Sequence, residues 1–123
     1  MADQKTVLFV DDEPAVLNSL KRMLREEGWN LVFVESGTEG LRILEEQTVD
    51  VVVVDLQMPQ MNGLSFLEHV AEKFPLSGRI VLSAYVQEGS LERAMVEDFA
   101  QQILSKPWDD EAVKTAIRTA LGE

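Results

Sequence analysis

Five short apolar runs divide the chain at nearly regular intervals. They show little of the polar alternation of a half-exposed strand, and they span Thr6 to Val10, Leu31 to Val34, Val51 to Val54, Arg79 to Leu82 and Gln102 to Leu104. Continuous runs rich in valine, isoleucine and leucine are typical of parallel strands that are buried on both faces of a sheet. The pattern therefore predicts five strands with helices packed above and below them.

The segments between these runs have apolar residues at helical spacing. From Val16 to Leu24 they step i, i+1, i+4, i+7 and i+8, which places them on one face of a helix. We expect this first helix to begin near Pro14 and to end at Gly28, because proline suits a first turn and glycine a helix end. The other helices are predicted over Gly37 to Glu46, Leu64 to Phe74, about Glu88 to Asp98 and about Asp109 to Leu121. Regular alternation of strand and helix predicts a doubly wound α/β domain.

Charged and polar residues follow four of the five runs. Asp11 and Asp12 follow the first run, Asp55 the third and Ser83 the fourth, while Lys106 lies just after the fifth. The carboxyl ends of parallel strands meet at one edge of a sheet, so we expect these side chains to line a single crevice. Carboxylates are ligands for a divalent cation, Mg²⁺ rather than Ca²⁺ because Ca²⁺ usually takes more protein ligands. The hydroxyl and the ammonium suit phosphoryl oxygens.

Each of these residues also has a purely structural interpretation. Asp11 and Asp12 fit equally well at a helix N-terminus, where acids cap exposed N–H groups and complement the helix dipole. Taken alone, Asp55 fits a solvated loop, Ser83 a turn and Lys106 an exposed surface position. Only their joint placement at the strand ends favours a site for a metal ion and a phosphoryl group.

Composition narrows the class of protein further. The chain has 123 residues, 46% of them hydrophobic, and we expect a single domain over residues 1–123 with its core from about 5 to 121. With 22 acidic and 11 basic residues the formal net charge is -11, which disfavours direct binding to nucleic acid or to an anionic membrane. Cysteine is absent, and no apolar stretch approaches the roughly 20 residues of a membrane span. These features predict a cytoplasmic domain whose partners are cations and other proteins.

Four motifs, in this order along the chain, resemble those of a known family. They are the acidic pair in FVDDEP, the segment VVVVDLQMPQMNG from Val51 to Gly63, the pair Ser83 and Ala84 in LSA, and KPW from Lys106. Together they resemble the response-regulator receiver domain of two-component signalling, from about Lys5 to Leu121. KPWD in particular resembles receivers joined to phosphodiesterase-type or kinase-type outputs. The resemblance implies a flavodoxin-like fold, with five parallel strands in the order 2-1-3-4-5 and five helices.

The resemblance also implies an acceptor and a metal site. Asp55 would accept a phosphoryl group from a phosphohistidine on a sensor histidine kinase or a phosphotransfer protein. Mg²⁺ would be bound by Asp12, Asp55 and the backbone carbonyl of Gln57, and Asp11 would act mainly through a bound water.

A conformational switch is implied as well. Ser83, with its neighbour Ala84, would move toward the phosphoryl oxygens, Lys106 would pair with them, and the Lys106–Pro107 peptide would be cis. The surface formed by the fourth helix, fifth strand and fifth helix would then change. That surface would regulate an output domain or a partner protein, and would also support a homodimer.

The sequence departs from the family pattern at two positions that normally take part in this switch. The family usually has tyrosine or phenylalanine three residues before the lysine, where this chain has Ile103. It usually has glycine four positions earlier, where this chain has Phe99. Either coupling passes through Tyr85, Phe99 and Ile103, or the two aromatic residues simply pack against the fourth and fifth helices.

Three other functions remain open from the sequence. An interaction module of the same fold would act without phosphorylation, and Ile103 is the residue that favours it. A Mg²⁺-dependent phosphatase would use Asp55 as nucleophile, but it would need a second acid two residues later, where Gln57 stands. A flavin-binding protein would need N–H donors in the first loop, where this chain has carboxylates. The sequence therefore favours a phosphorylation-dependent switch that catalyses only its own phosphorylation and dephosphorylation.

Overall fold

A computed structural model describes residues 4–58, 62–84 and 91–123. The strands are β1 (Thr6–Val10), β2 (Asn30–Val34), β3 (Val51–Val54), β4 (Gly78–Ser83) and β5 (Gln102–Ser105). The helices are α1 (Pro14–Leu24), α2 (Gly37–Glu46), α3 (Gly63–Lys73), α4 (Leu91–Phe99) and α5 (Asp110–Leu121). The strands pair in parallel in the order β2-β1-β3-β4-β5, which confirms the predicted α/β class and strand order. None of the helices in these ranges is long and apolar enough to cross a membrane.

Both faces of the sheet are covered, and this explains the continuous apolar runs. In β1, Leu8 and Val10 belong to one core layer, which α2, α3 and α4 complete, while Val7 and Phe9 belong to a second layer with α1 and α5. Every residue of β1 and of β3 is buried. Burial of one aliphatic side chain stabilises a protein by about 1.5–3 kcal/mol, so these central strands form a rigid support for the residues that follow them.

The helix α1 ends earlier than the sequence predicted. It ends at Leu24 rather than at Gly28. The Glu27 N–H donates to the Leu24 carbonyl at 3.0 Å, and Gly28 has φ 86°. The prediction was wrong because a turn over residues 25–27 intervenes, and the glycine redirects the chain only after that turn. The other bounds agree within about two residues, except that the predicted start of the fourth helix lies outside the described residues.

The first turn of α3 lies against the loop that follows β3. The Gly63 N–H donates to the Leu56 carbonyl at 3.1 Å, and Asn62 caps the helix by accepting the Leu64 N–H at 2.8 Å. A Cβ atom at position 63 would lie 2.5 Å from the Asp55 carbonyl oxygen and closer still to Leu56 Cα. Only glycine permits this approach, which brings α3 next to Asp55.

A side chain from β4 holds the C-terminal end of α4. Arg79 Nε donates to the Phe99 carbonyl at 2.5 Å, and Arg79 Nη1 donates to the Ser77 carbonyl at 2.7 Å. Within the described part of the chain, positive φ values occur only at Gly28 and Gly122, so Phe99 does not adopt a left-handed cap. Arg79 therefore satisfies the helix end at position 99, where the resemblance described above would lead one to expect glycine.

Candidate functional site

The C-terminal edge of the sheet brings the predicted crevice residues together. The backbone ladder continues past the strands, because the Asp11 N–H donates to the last carbonyl of β2 at 3.2 Å and the Asp55 N–H to the last carbonyl of β1 at 3.0 Å. The Lys106 N–H donates to the Ser83 carbonyl at 3.0 Å in the same way. Sheet hydrogen bonds thus fix the backbone positions from which these side chains extend.

Four carboxylates gather at this edge. Asp11, Asp12, Glu13 and Asp55 each offer an oxygen, and these oxygens all lie within 4.8 Å of one another. Asp11 and Asp55 are each only 4% exposed, Asp12 is half-buried and Glu13 is exposed. Like charges this close repel one another unless a cation joins them. The sequence analysis missed Glu13 as a site residue, although its position next to two aspartates was a usable signal.

The Lys106 ammonium is the cation that contacts these charges. Its Nζ donates to Asp11 Oδ2 at 2.7 Å, to Asp55 Oδ2 at 3.2 Å and to Glu13 Oε1 at 3.3 Å. Burial by itself lowers the pKa of Lys106, but the hydrogen bonds and charges of Asp11 and Asp55 outweigh burial, so the pKa is raised. Among the described residues, one ammonium faces four carboxylates at this edge, which leaves the cluster negatively charged.

Burial dominates the electrostatics of Asp11. It raises the pKa of that carboxyl above its ordinary value, although the hydrogen bonds from Lys106 and from the Glu13 N–H act in the opposite direction. The neighbouring charge of Asp55 adds to the increase. A divalent cation beside Asp11 would favour the charged carboxylate and reverse this shift.

The Asp55 carboxylate is held by different donors on its two oxygens. Oδ1 accepts the Ser83 hydroxyl at 3.0 Å and the Gln57 backbone N–H at 3.1 Å, whereas Oδ2 accepts from Lys106. A buried and oriented carboxylate suits nucleophilic attack, and the lysine and serine donors are placed to receive negative charge that arrives beside it. The carboxylate oxygens of the cluster suit a hard divalent cation such as Mg²⁺.

The other residues predicted for the phosphoryl site lie beside it. Ala84 directly follows β4 and is exposed, and the Lys106–Pro107 peptide is cis. Gln57 is exposed and contacts Asp55 through its backbone N–H. The backbone of Gln57 thus lies at the edge of the acidic cluster.

The residues predicted to couple this site to the surface lie on one face of the sheet, as far as the structure describes them. Phe99 and Ile103 are half-buried and pack against the same core layer, which also contains Val81 and Val96. Tyr85 lies outside the described residues. Packing in this layer therefore joins the end of α4 to β5.

Comparison with known proteins gives the family. The model of the response regulator receiver domain matches residues 7–118, so this chain belongs to the receiver domains of two-component response regulators. The transcriptional regulatory protein GlrR of Escherichia coli K12 is 37% identical over 117 residues, which make up 94% of this chain and 26% of GlrR. This chain thus spans about a quarter of the length of such curated relatives.

Two solved structures illustrate the similarity. The signal receiver domain of an HD domain-containing protein from Pseudomonas fluorescens Pf-5 has a TM-score of 0.90 and 29% identity, and covers 99% of this chain and 90% of its own. The response regulator TrrA of Thermotoga maritima, solved in complex with Mg²⁺ and BeF, has a TM-score of 0.84 and 28% identity. That match covers 96% of this chain and all of TrrA.

Proposed function

We propose that this domain is a phosphorylation-dependent signalling switch in which Asp55 accepts a phosphoryl group from a phosphohistidine. The donor is a sensor histidine kinase or a phosphotransfer protein. The observation that carries the proposal is the buried Asp55 carboxylate, which Ser83 and Gln57 orient on one oxygen and Lys106 on the other. The Mg²⁺–BeF complex of the relative TrrA supports it, because beryllium fluoride resembles a phosphoryl group in shape and charge.

The proposed reaction is a displacement at phosphorus. An Asp55 oxygen donates an electron pair to the phosphorus, the P–N bond to the histidine breaks, and the electron pair of that bond returns to the imidazole. The product is an acyl phosphate on Asp55, and later attack by water releases inorganic phosphate and restores the carboxylate. Such a transfer needs positioning and charge neutralisation more than covalent assistance from the protein. Lys106 supplies positive charge for the phosphoryl oxygens, and the Ser83 hydroxyl turns from Asp55 toward one of them.

The acidic cluster fits Mg²⁺ as the cofactor. Asp12 and Asp55, together with the backbone carbonyl of Gln57, would hold the ion directly, and Asp11 would act through a water, in keeping with the preference of Mg²⁺ for few carboxylates and several waters. When bound, the ion neutralises charge on the phosphoryl oxygens. The positive charge of Lys106 alone does not suffice to neutralise the phosphoryl oxygens, because its ammonium already contacts three carboxylates.

The signal reaches the surface formed by α4, β5 and α5, here called the output surface. Ser83 pairs with Ser105 across the β4–β5 ladder, and Val81 pairs with Ile103. Because Ile103 has no aromatic ring to rotate, the response passes through packing of Ile103 and Phe99 in their shared core layer. An output domain, a partner protein or a second copy of the domain binds this surface. To change the ratio of active to inactive conformations from 1:99 to 99:1, phosphorylation must favour the active conformation by about 5.5 kcal/mol.

The test is reaction with acetyl phosphate and Mg²⁺, followed by intact mass spectrometry. Wild type is expected to gain one phosphoryl group, Asp55→Asn none, and Asp11→Asn the same group more slowly. Asp98→Asn, at an exposed position on α4, serves as the control and is expected to react like wild type. Phosphate on a residue other than Asp55 in the wild type would refute the assignment.

A second measurement separates the switch from its main alternative, an interaction module that acts without phosphorylation. Beryllofluoride should shift the amide resonances of β5 and α4 in wild type, and Ser83→Ala should reduce these shifts. Ile103→Tyr should enlarge them if the missing aromatic residue limits the switch. If the wild type neither gains phosphate nor shows shifts with beryllofluoride, the interaction module replaces the switch.

A further inference from the structure

A groove lies at the opposite edge of the sheet from Asp55. It has a volume of about 670 Å³ and is lined by the C-terminal ends of α2 and α3 and by the loops that precede β3 and β4. We propose that this groove, here called the α2–α3 groove, binds a basic amphipathic helix of a partner protein. Apolar side chains of that helix occupy the groove, and its lysine or arginine side chains face the end of α2.

The lining of the groove contains a connected set of apolar side chains, one of them unusually exposed. Leu44 and Val49 are buried beneath it, Phe74 is half-buried, and Leu76 is 99% exposed. A single exposed leucine is ordinary on a protein surface. Leu76, however, lines the same groove as Phe74 and Val49, so an apolar side chain bound there would remove connected apolar surface from water.

Hydrogen bonds hold the two loops of the groove together. The Ser77 hydroxyl donates to the Val49 carbonyl at 2.6 Å, and the Gly78 N–H donates to the Asp50 carbonyl at 2.8 Å. The Asp50 carboxylate in turn accepts the backbone N–H of Thr6 at 2.8 Å. The groove is therefore formed before a partner binds, and this chain loses little conformational entropy on binding.

The charges around the groove favour a cationic partner. Glu45 and Glu46 are exposed in the last turn of α2, which contains no basic residue, and within the described residues neither forms an ion pair. Acids at this end of a helix face the negative pole of its dipole, so a bound cation relieves an unfavourable arrangement. Asp50 adds a third carboxylate, against the single ammonium of Lys73. The net charge of -11 also attracts basic partners over longer distances.

The strand order excludes an extended peptide as the occupant. The groove lies at the N-terminal ends of β3 and β4, and both edges of each of these strands are already paired. No free edge is available there for an added strand, so recognition falls to apolar anchors at helical spacing. This site shares no residue with the acidic cluster, and binding there does not require phosphorylation at Asp55.

The test uses a fluorescein-labelled peptide with leucine and lysine arranged at i, i+3 and i+4 spacing, titrated with the full chain and followed by anisotropy. Two comparison peptides carry glutamate in place of lysine, or the same composition without helical spacing. Leu76→Asp should weaken binding of the basic helical peptide about tenfold or more, because burial of one leucine is lost. Glu45→Lys combined with Glu46→Lys should weaken it about fivefold.

Matched controls separate the groove from general electrostatic attraction. Met95→Asp introduces the same charge at another exposed apolar position, and Glu26→Lys with Asp98→Lys changes the net charge as much as the double reversal on α2. Both controls should retain most of the binding, and amide shifts should map to residues 44–50 and 73–77. Absence of binding, equal binding of the glutamate peptide or equal loss in the controls would overturn the proposal. Concentration-dependent self-association that Leu76→Asp removes would overturn it in favour of a second copy of this chain.

Discussion

At the scale of single residues, the charge balance of the site depends on Lys106. Its ammonium is 2.7 Å from Asp11 and 3.2 Å from Asp55, and its side chain is only 12% exposed. Removal of one member of a buried ion pair leaves the other charge uncompensated, which costs more than the pair itself contributes. Lys106 is thus important for the resting fold as well as for the proposed phosphoryl chemistry.

Substitution Lys106→Met should therefore lower the free energy of unfolding by about 3 kcal/mol in metal-free buffer at neutral pH. This is the lower end of the range for a broken buried pair, because Asp11 can take up a proton. Lys114→Met is the matched control, since Lys114 lies 3.9 Å from Glu27 and 3.8 Å from an exposed glutamate. We expect that control to cost less than about 1 kcal/mol in chemical denaturation. Equal losses in the two variants would contradict this account of Lys106.

The loss caused by Lys106→Met should also depend on pH. Burial raises the pKa of Asp11 in the folded state, so Asp11 contributes most to stability below its unfolded pKa of 3.8, and less as pH rises through the folded pKa. Once Asp11 is protonated, its neutral carboxyl group no longer requires the positive charge of Lys106 for compensation. The difference between wild type and Lys106→Met should therefore shrink as the pH is lowered from 7 toward about 4. Chemical denaturation at several pH values measures this difference in the free energy of unfolding. A difference that grows on acidification would be inconsistent with buried carboxylates.

At the scale of secondary-structure elements, a comparison of Gly63 with Gly40 shows why the first position of α3 tolerates no side chain. A Cβ on Gly63 would meet the backbone of Asp55 and Leu56, which cannot move without disturbing the site. A Cβ on Gly40, within α2, would meet only side-chain atoms of Phe66 and Val10 at 3.1 Å. Side chains can adjust by a few tenths of an ångström, whereas the backbone after β3 is fixed by the sheet.

Gly63→Ala should accordingly destabilise the fold by about 3 kcal/mol, as overpacking against backbone does. It should also slow phosphorylation by acetyl phosphate, because the displaced backbone carries Asp55. Gly40→Ala should stay within about 1 kcal/mol of wild type, since the gain in helix propensity offsets the tight contact. Thermal denaturation and the intact-mass assay measure both effects. A fully active and stable Gly63→Ala variant would show that the close approach is unnecessary.

The sequence predicts elements better than their ends and their contacts. Valine runs such as Val51–Val54 indicate a doubly covered strand directly, because only burial on both faces accounts for them. The end of α1 was missed because the turn before Gly28 is set by local hydrogen bonds that spacing does not encode. The hydrogen bond by which Arg79 caps α4 at Phe99 joins residues 20 positions apart, so no local sequence pattern predicts it.

For the candidate site, the sequence likewise predicts which residues come together better than it predicts their contacts. Asp11, Asp55, Ser83 and Lys106 follow strands whose parallel order brings their ends together, so the strand pattern alone places them at one edge. The contact of Lys106 with Glu13 was not foreseen, because it depends on the direction of two long side chains rather than on strand register.

At the scale of the whole molecule, an acidic chain places one dense group of carboxylates at a single edge of its sheet. The net charge is -11, and four carboxylates lie at the edge of the sheet that contains Asp55. Their mutual repulsion opposes folding in the absence of a divalent cation. Binding of a divalent cation at this cluster, as proposed, would therefore be thermodynamically linked to the stability of the molecule.

Mg²⁺ should stabilise the protein, by about 1.4 kcal/mol at ten times its dissociation constant. Asp12→Ala should abolish this gain and should raise the stability of the metal-free protein, because one repelling charge is removed. Glu26→Ala, at an exposed position away from the cluster, should leave the gain unchanged. Thermal denaturation with Mg²⁺ and with NaCl at equal ionic strength measures the effect. An unchanged melting temperature of wild type with Mg²⁺ would contradict the proposed cofactor.

The length of β3 sets the thickness of the molecule between its two acidic surfaces. Val51–Val54 lies between Asp50 and Asp55, so at roughly 3.3 Å per residue the five steps along the strand separate these two residues by about 16 Å. That is about one and a half times the diameter of one helix with its side chains, which is about 10–12 Å. The space between them is filled by the buried core, which contains no mobile ions. Salt therefore screens the interaction between charges at the two ends only weakly. A negative charge gained at Asp55 would therefore strengthen the attraction of a cation at the α2–α3 groove by on the order of 1 kcal/mol.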